Sequence, residues 1–275
     1  MKKTLRSTLL TALSLTVLST VAFAGTTIVG TKHDLSSTTG LSSAYVSNLG
    51  PTGTNQRICV FCHAPHNTKT PNSTINNSTY NYLPLWNHEM TTITTWQGYT
   101  TGSDTVGDPA DPNNPTRSIA LTVDTSGGPG GPSKLCLSCH DGSIAVAAYG
   151  QNASDTYLHS PDSTAGGAKM SAGYQIGTSG NLTNHHPIGF NYYTAYNKDL
   201  DLAAPSTILS AASGIRIQDV LIGPAGVGGA PATAGGQVEC ITCHDVHNSK
   251  NEANAEKFLW KSDQHSALCL TCHLK

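Results

Sequence analysis

The sequence predicts a chain that is mostly coil, with short α-helices and little β-structure. Three observations carry that reading. Gly and Pro number 27 and 14 of 275 residues, and both interrupt regular elements. Charged residues make up only 12%, about half the roughly 25% usual in soluble domains. Helical apolar patterns are brief, so few segments can bury a face of their own. Such a chain does not offset its ordering entropy unaided, and its core has to come from elsewhere. The same figures exclude a coiled coil. A net charge of −2 leaves no electrostatic footprint for nucleic acid. Beyond the first two dozen residues no apolar run reaches the length of a membrane span.

In chain order, residues 1–24 come first and read as a secretory signal peptide. Lys2, Lys3 and Arg6 form a positive n-region, Leu9 to Val21 an apolar stretch, and Ala22-Phe23-Ala24 a small-x-small cleavage site. A retained anchor is the weaker reading because the apolar stretch is short. No Cys stands at the cleavage point, so a lipid anchor is not indicated. Cleavage leaves residues 25–275 as one domain with no transmembrane span. That mature chain carries 12 basic and 17 acidic residues, a net charge of −5.

All eight Cys fall into four copies of one pattern. The copies are Cys59-Val60-Phe61-Cys62-His63, Cys136-Leu137-Ser138-Cys139-His140, Cys240-Ile241-Thr242-Cys243-His244 and Cys269-Leu270-Thr271-Cys272-His273. C-x-x-C-H is the attachment signal for c-type haem. Two thiols three positions apart form thioethers to the vinyl groups on one porphyrin edge, and the adjacent His ligates the iron. A disulfide scaffold does not place His after every second Cys. A zinc ribbon needs no such His, and a thioredoxin-like pair does not recur four times. The expectation is four covalently bound haem c groups, with His63, His140, His244 and His273 as proximal iron ligands.

Twelve His are present, so a surplus remains for the sixth position on each iron. The distal candidates are His66, His247, His186, His88 and His33. Only Met90 and Met170 compete within the mature chain, so the sequence predicts bis-His, low-spin haems of low potential. His66 and His247 each follow a proximal His by three residues. Three extended residues span at most about 10–11 Å, too short to round a porphyrin, so each is expected to reach another haem. Pro187 keeps His186 extended. His88 follows the apolar anchor Leu85-Trp86-Asn87, and His33 lies near the mature N-terminus. His185 is read as a propionate partner or exposed, His265 as strained for its own haem, and His159 as a loop residue.

Between the motifs, 67–79 and 100–114 are almost wholly polar, and 126–132 and 223–236 are Gly/Pro-rich loops. Asp104, Asp108 and Asp111 lack the EF-hand calcium spacing. Residues 251–260 form the best helical pattern, with Ala253, Phe258 and Leu259 turned inward. Tyr192, Tyr193 and Tyr196 are assigned to ordinary packing. The core is expected to be porphyrin, with the coil wrapped around a closely packed haem chain.

These segments together resemble a known family. Thr-Lys-His-Asp-Leu-Ser (31–36), Cys-Val-Phe-Cys-His-Ala-Pro-His (59–66), Pro-Leu-Trp-Asn-His (84–88) and Leu-Cys-Leu-Ser-Cys-His-Asp-Gly (135–142) come first. His-Pro-Ile-Gly-Phe (186–190), Val-Glu-Cys-Ile-Thr-Cys-His-Asp-Val-His (238–247) and Leu-Cys-Leu-Thr-Cys-His (268–273) follow. The order resembles the doubled-CxxCH multihaem c-type cytochromes of metal-reducing bacteria, and among them the tetrahaem OmcE-type extracellular filament (nanowire) cytochromes. The resemblance implies electron transfer by haem-to-haem hopping along a conductive filament that exports electrons. It implies head-to-tail self-association with a shared axial His, His66 or His33 being the matching donor. Redox partner cytochromes and extracellular electron acceptors would be its partners. The expected location is extracellular or at the outer cell surface. The alternative is a discrete carrier in the periplasm or at the outer surface. A multihaem reductase needs an open iron, which the His surplus opposes, so no enzymatic activity is expected. The long polar loops match nothing in the family.

Overall fold

The computed structural model describes residues 28–29, 31–35, 58–66, 73–75, 78–80, 85–98, 129–146, 148–150, 169–199, 201–223, 236–249 and 258–274. The signal segment, His159 and the run 100–114 lie outside them. The architecture is mostly coil with short helices and small two-stranded sheets. Helix α1 (Gly131–His140) is the longest described α-helix, at ten residues. Pro132 opens it, where a missing N–H costs nothing, and Leu135 and Leu137 are buried. Helix α2 (Tyr192–Lys198) starts at Asn191, whose side chain accepts from the Thr194 N–H at 3.0 Å. Helices α3 (Ile217–Val220), α4 (Cys240–Cys243) and α5 (Cys269–Cys272) are single turns.

Among the described residues the strands form three antiparallel pairs. β1 (Ser73–Ile75) pairs with β2 (Ser78–Tyr80), and β4 (Ile208–Ser210) with β5 (Ile215–Arg216). β3 (Phe190–Asn191) pairs with β6 (Gln237–Val238), which joins the start of α2 to the strand entering the third motif.

One apolar cluster is built by the chain itself. Phe190, Tyr192, Tyr193, Ala195, Leu202, Ala203, Ile217, Leu221 and Val238 pack together, with Tyr196 and Cys272 against their edge. This differs from a core made of porphyrin alone. The physical reason is local: segment 190–222 folds its aromatic and branched residues back on one another. A smaller nucleus joins Phe61 edge-on to Tyr149, with ring centres 5.0 Å apart.

Three local expectations change. Residues 258–260 are not helical: Phe258 has φ +59° and Leu259 pairs with His244. Part of the polar run 67–79 is the β1–β2 hairpin. The Gly/Pro-rich stretch 126–132 ends inside α1. Among the described residues, no helix is long and apolar enough to cross a membrane.

Candidate haem-attachment sites

Each C-x-x-C-H motif sits on a helical turn. The N–H of His63 donates to the Cys59 carbonyl at 2.8 Å, that of His244 to Cys240 at 3.1 Å, and that of His273 to Cys269 at 2.9 Å. Residues three apart on a helical turn share a face, so both thiols of a motif point the same way. His140 closes the longer α1.

Three motifs then repeat one device. His63 bridges to Trp86, His244 to Leu259 and His273 to Leu202, each antiparallel. Asn87, Trp260 and Ala203 donate their N–H groups to the carbonyls of Cys62, Cys243 and Cys272, at 2.8, 3.0 and 2.8 Å. In return Ala64, Asp245 and Leu274 donate to Leu85, Phe258 and Asp201, at 3.0, 2.6 and 2.8 Å. The first and third motifs agree further. Leu85 and Phe258 both take positive φ, +53° and +59°. The Asn87 side chain donates to the Val60 carbonyl at 2.8 Å, and the Trp260 indole donates to the equivalent Ile241 carbonyl at 2.9 Å. The chain therefore builds the same haem-binding turn twice. The order C-x-x-C-H-x-x-H followed by Leu85-Trp86 or Phe258-Leu259 was the sequence signal for it.

The histidines meet across the chain. His63 faces His247 with ring centres 6.2 Å apart, His140 faces His33 at 6.2 Å, and His273 faces His186 at 6.4 Å. A metal–imidazole bond of roughly 2 Å, plus ~1.1 Å from nitrogen to ring centre, separates two trans imidazoles by about 6.2 Å. The three gaps thus have the width of one six-coordinate metal between two rings, which is the fit test for an iron porphyrin. The second nitrogen is held from behind: His186 Nδ1 lies 2.9 Å from the Pro187 carbonyl, and a His33 nitrogen bonds the Val246 carbonyl. Such bonds fix the tautomer and leave the other nitrogen for metal. Burial, reinforced by neighbouring His140, pushes the His33 imidazole down to about 4, so it is neutral at pH 7, as a ligand must be. Phe258 stacks on His33 at 4.5 Å and fixes its plane.

The other two distal candidates are placed differently. His88 is 1% exposed, with Nδ1 at 2.7 Å from the Glu89 carbonyl and Nε2 at 3.1 Å from those of Ala145 and Val146. A neutral imidazole carries one N–H, so one of these nitrogens donates to backbone and the other does not; Cys139 Sγ lies 3.4 Å from Nε2. His66 is exposed.

Cys59, Cys62 and Cys269 are exposed and the other five cysteines half-buried. Cys62 is exposed, yet the surrounding chain pushes its thiol up to about 12. The second and third motifs meet: helix α1 packs against α4, and the Cys240 N–H donates to Ser133 Oγ at 2.9 Å. Between the second and third motifs lies Glu239, 1% exposed, which the sequence reading missed. Its carboxylate accepts from Ser133 Oγ and from the Gly130 N–H at 2.9 Å. Nothing in the local pattern around a single Glu announces a contact made 106 residues away in sequence.

Residues 230–275 match the family model described as the doubled CXXCH motif. No curated protein matches the chain. The matched segment contains the third and fourth motifs, whose turns and bridges have just been described. Its CXXCH motifs indicate covalently bound haem c, and the match supports placing the chain with the multihaem c-type cytochromes, in an electron-transfer role.

Proposed function

We propose that the protein is a tetrahaem c-type cytochrome that carries electrons and polymerises into an extracellular conductive filament. The observation that carries the electron-transfer reading is the set of three facing imidazole pairs, His63/His247, His140/His33 and His273/His186. Each pair would hold one haem iron between two imidazoles, and an iron so held would exchange electrons without binding substrate. Haem supplies the one-electron couple; the chain supplies axial nitrogens, thioether anchors and spacing. The second and third motifs pack together through α1 and α4, which supports a short path between the haems they would carry.

The filament reading rests on His66. His33 faces His140 within the chain, so of the two donors that the resemblance implied, the exposed His66 is the one assigned to a neighbouring copy. A head-to-tail contact that does not close produces an open polymer.

Secreted protein is tested by mass, spin state and imaging. Four haems per chain, low-spin spectra, and fibres lost in His66→Ala are expected. His247→Ala turns one haem high-spin. A single haem per chain, or irons that stay low-spin in His247→Ala, His33→Ala and His186→Ala alike, refutes the ligand assignment. Monomers with fully six-coordinate haems at high concentration refute the filament and leave a discrete carrier.

A further inference from the structure

The first and third modules correspond residue for residue where the chain leaves the proximal histidine. His63 and His244 hold one position, through their bridges to Trp86 and Leu259. The next residue is Ala64 in one module and Asp245 in the other. Each donates its N–H to the carbonyl of the positive-φ residue on the facing segment, Leu85 or Phe258, at 3.0 and 2.6 Å. Both are buried, at 2% and 4% exposure. Two residues further on stand His66 and His247, and both are exposed. Exposure therefore does not separate the two histidine arms. The side chain at 64 and 245 does.

Asp245 ties its arm down. Its Oδ1 accepts from the His247 N–H at 3.1 Å, and its Oδ2 from the Ser249 N–H at 2.7 Å and Ser249 Oγ at 3.1 Å. The Asp245 carbonyl accepts from the Asn248 N–H at 2.9 Å. A carboxylate that gathers the N–H two residues on closes a tight turn and fixes the backbone between. Hydrogen bonds to an ionised acceptor are also the stronger kind. The turn leaves the His247 ring 6.2 Å from that of His63, across the gap assigned above to one iron. Alanine offers no acceptor, so the His66 arm lacks this tie, which suits its assignment to a neighbouring copy. The second motif shows the turn without a ligand to aim: Asp141 Oδ1 accepts from the Ser143 N–H at 2.7 Å. We infer that Asp245 is the positioning residue that turns the His247 arm back onto the haem of Cys59, Cys62 and His63 in its own chain. The inference rests on the reading of His247 as an axial ligand. Asp245 acts through the backbone of His247: an arm already held in its bound shape loses less freedom on ligation.

The test uses the haem-loaded ferric protein and cyanide, which binds a six-coordinate iron only after its distal imidazole leaves. Asp245→Ala copies the first module. It is expected to speed cyanide binding at one haem by about ten- to a hundredfold, the worth of one hydrogen bond to a charged group. A high-spin resonance Raman signal is expected with it, and added imidazole removes that signal. Asp245→Asn keeps an oxygen for the His247 N–H and is expected to lie close to wild type. Wild-type cyanide rates in Asp245→Ala overturn the inference, as do equal rates in Asp245→Ala and Asp245→Asn. Amide hydrogen exchange in the wild type needs no variant: slow exchange at the His247 N–H is expected, and exchange at the free-peptide rate overturns the inference. His247→Ala is read in parallel. If it leaves every haem low-spin and slow to bind cyanide, the axial reading of His247 fails and the inference with it. If it opens one haem while Asp245→Ala opens none, only the role of Asp245 fails.

Discussion

Glu239 offers the clearest quantitative handle on how the motifs are held together. It caps the α1 end and the α4 end at once, accepting from Gly130 N–H and Ser133 Oγ while its own N–H donates to Thr242 Oγ1 at 2.9 Å. Burial raises its carboxyl from 4.5 to about 7, against the opposing pull of Ser133, Gly130 and half-buried Lys134. The folded-state value lies above the unfolded one, so the native state binds the extra proton. The stability linked to it is complete below about pH 4.5 and is lost as pH rises through about 7. That interval, at ~1.4 kcal/mol per pH unit, amounts to about 3 kcal/mol. Glu239→Gln keeps the shape and removes the titration. Denaturant unfolding of the haem-loaded protein, followed by far-UV circular dichroism at a series of pH values, gives the difference between wild type and variant. Wild type is expected to fall relative to Glu239→Gln by up to about 3 kcal/mol across the interval. Subtracting the variant cancels propionates and other groups common to both. A difference that stays flat between pH 4.5 and 8, or that rises with pH, refutes the reasoning.

Two further outcomes follow from single contacts. Gly180 has φ +81°, and a Cβ there would collide with the Thr95 carbonyl oxygen, so Gly180→Ala is expected to lower the unfolding free energy by at least about 1–3 kcal/mol, read by denaturant titration. Trp260→Phe removes the bond to the Ile241 carbonyl. It is expected to cost about 1 kcal/mol and to leave haem content unchanged, as judged by the pyridine haemochrome spectrum.

The attachment chemistry was legible because it is local. A thioether pair and an adjacent imidazole need only one helical turn, and Cys240 to His244 or Cys269 to His273 declare it in five residues. Coil content was legible for the same reason, since Gly and Pro act where they stand. The helical pattern at 251–260 misled in its last three residues. Phe258 and Leu259 are apolar because one stacks on His33 and the other bridges His244, and neither role has a helical period. His88 stands behind an apolar anchor, and its Nε2 lies 3.1 Å from the carbonyls of Ala145 and Val146 and 3.4 Å from Cys139 Sγ of the second motif, contacts that its position in the sequence does not announce.

What the sequence alone determined is therefore the number and kind of attachment motifs and the surplus of imidazoles beyond one for each. What only the tertiary structure decided is which imidazole stands opposite which. His33 and His140 are 107 positions apart and His63 and His247 are 184 apart, yet each pair is held a metal's width apart. The gap between two imidazoles is a distance between chain segments, set by bridges, caps and the contacts of Ser133 with Glu239 and Cys240. No spacing along the chain encodes that distance, because the loops between the motifs leave it undetermined until the segments pack.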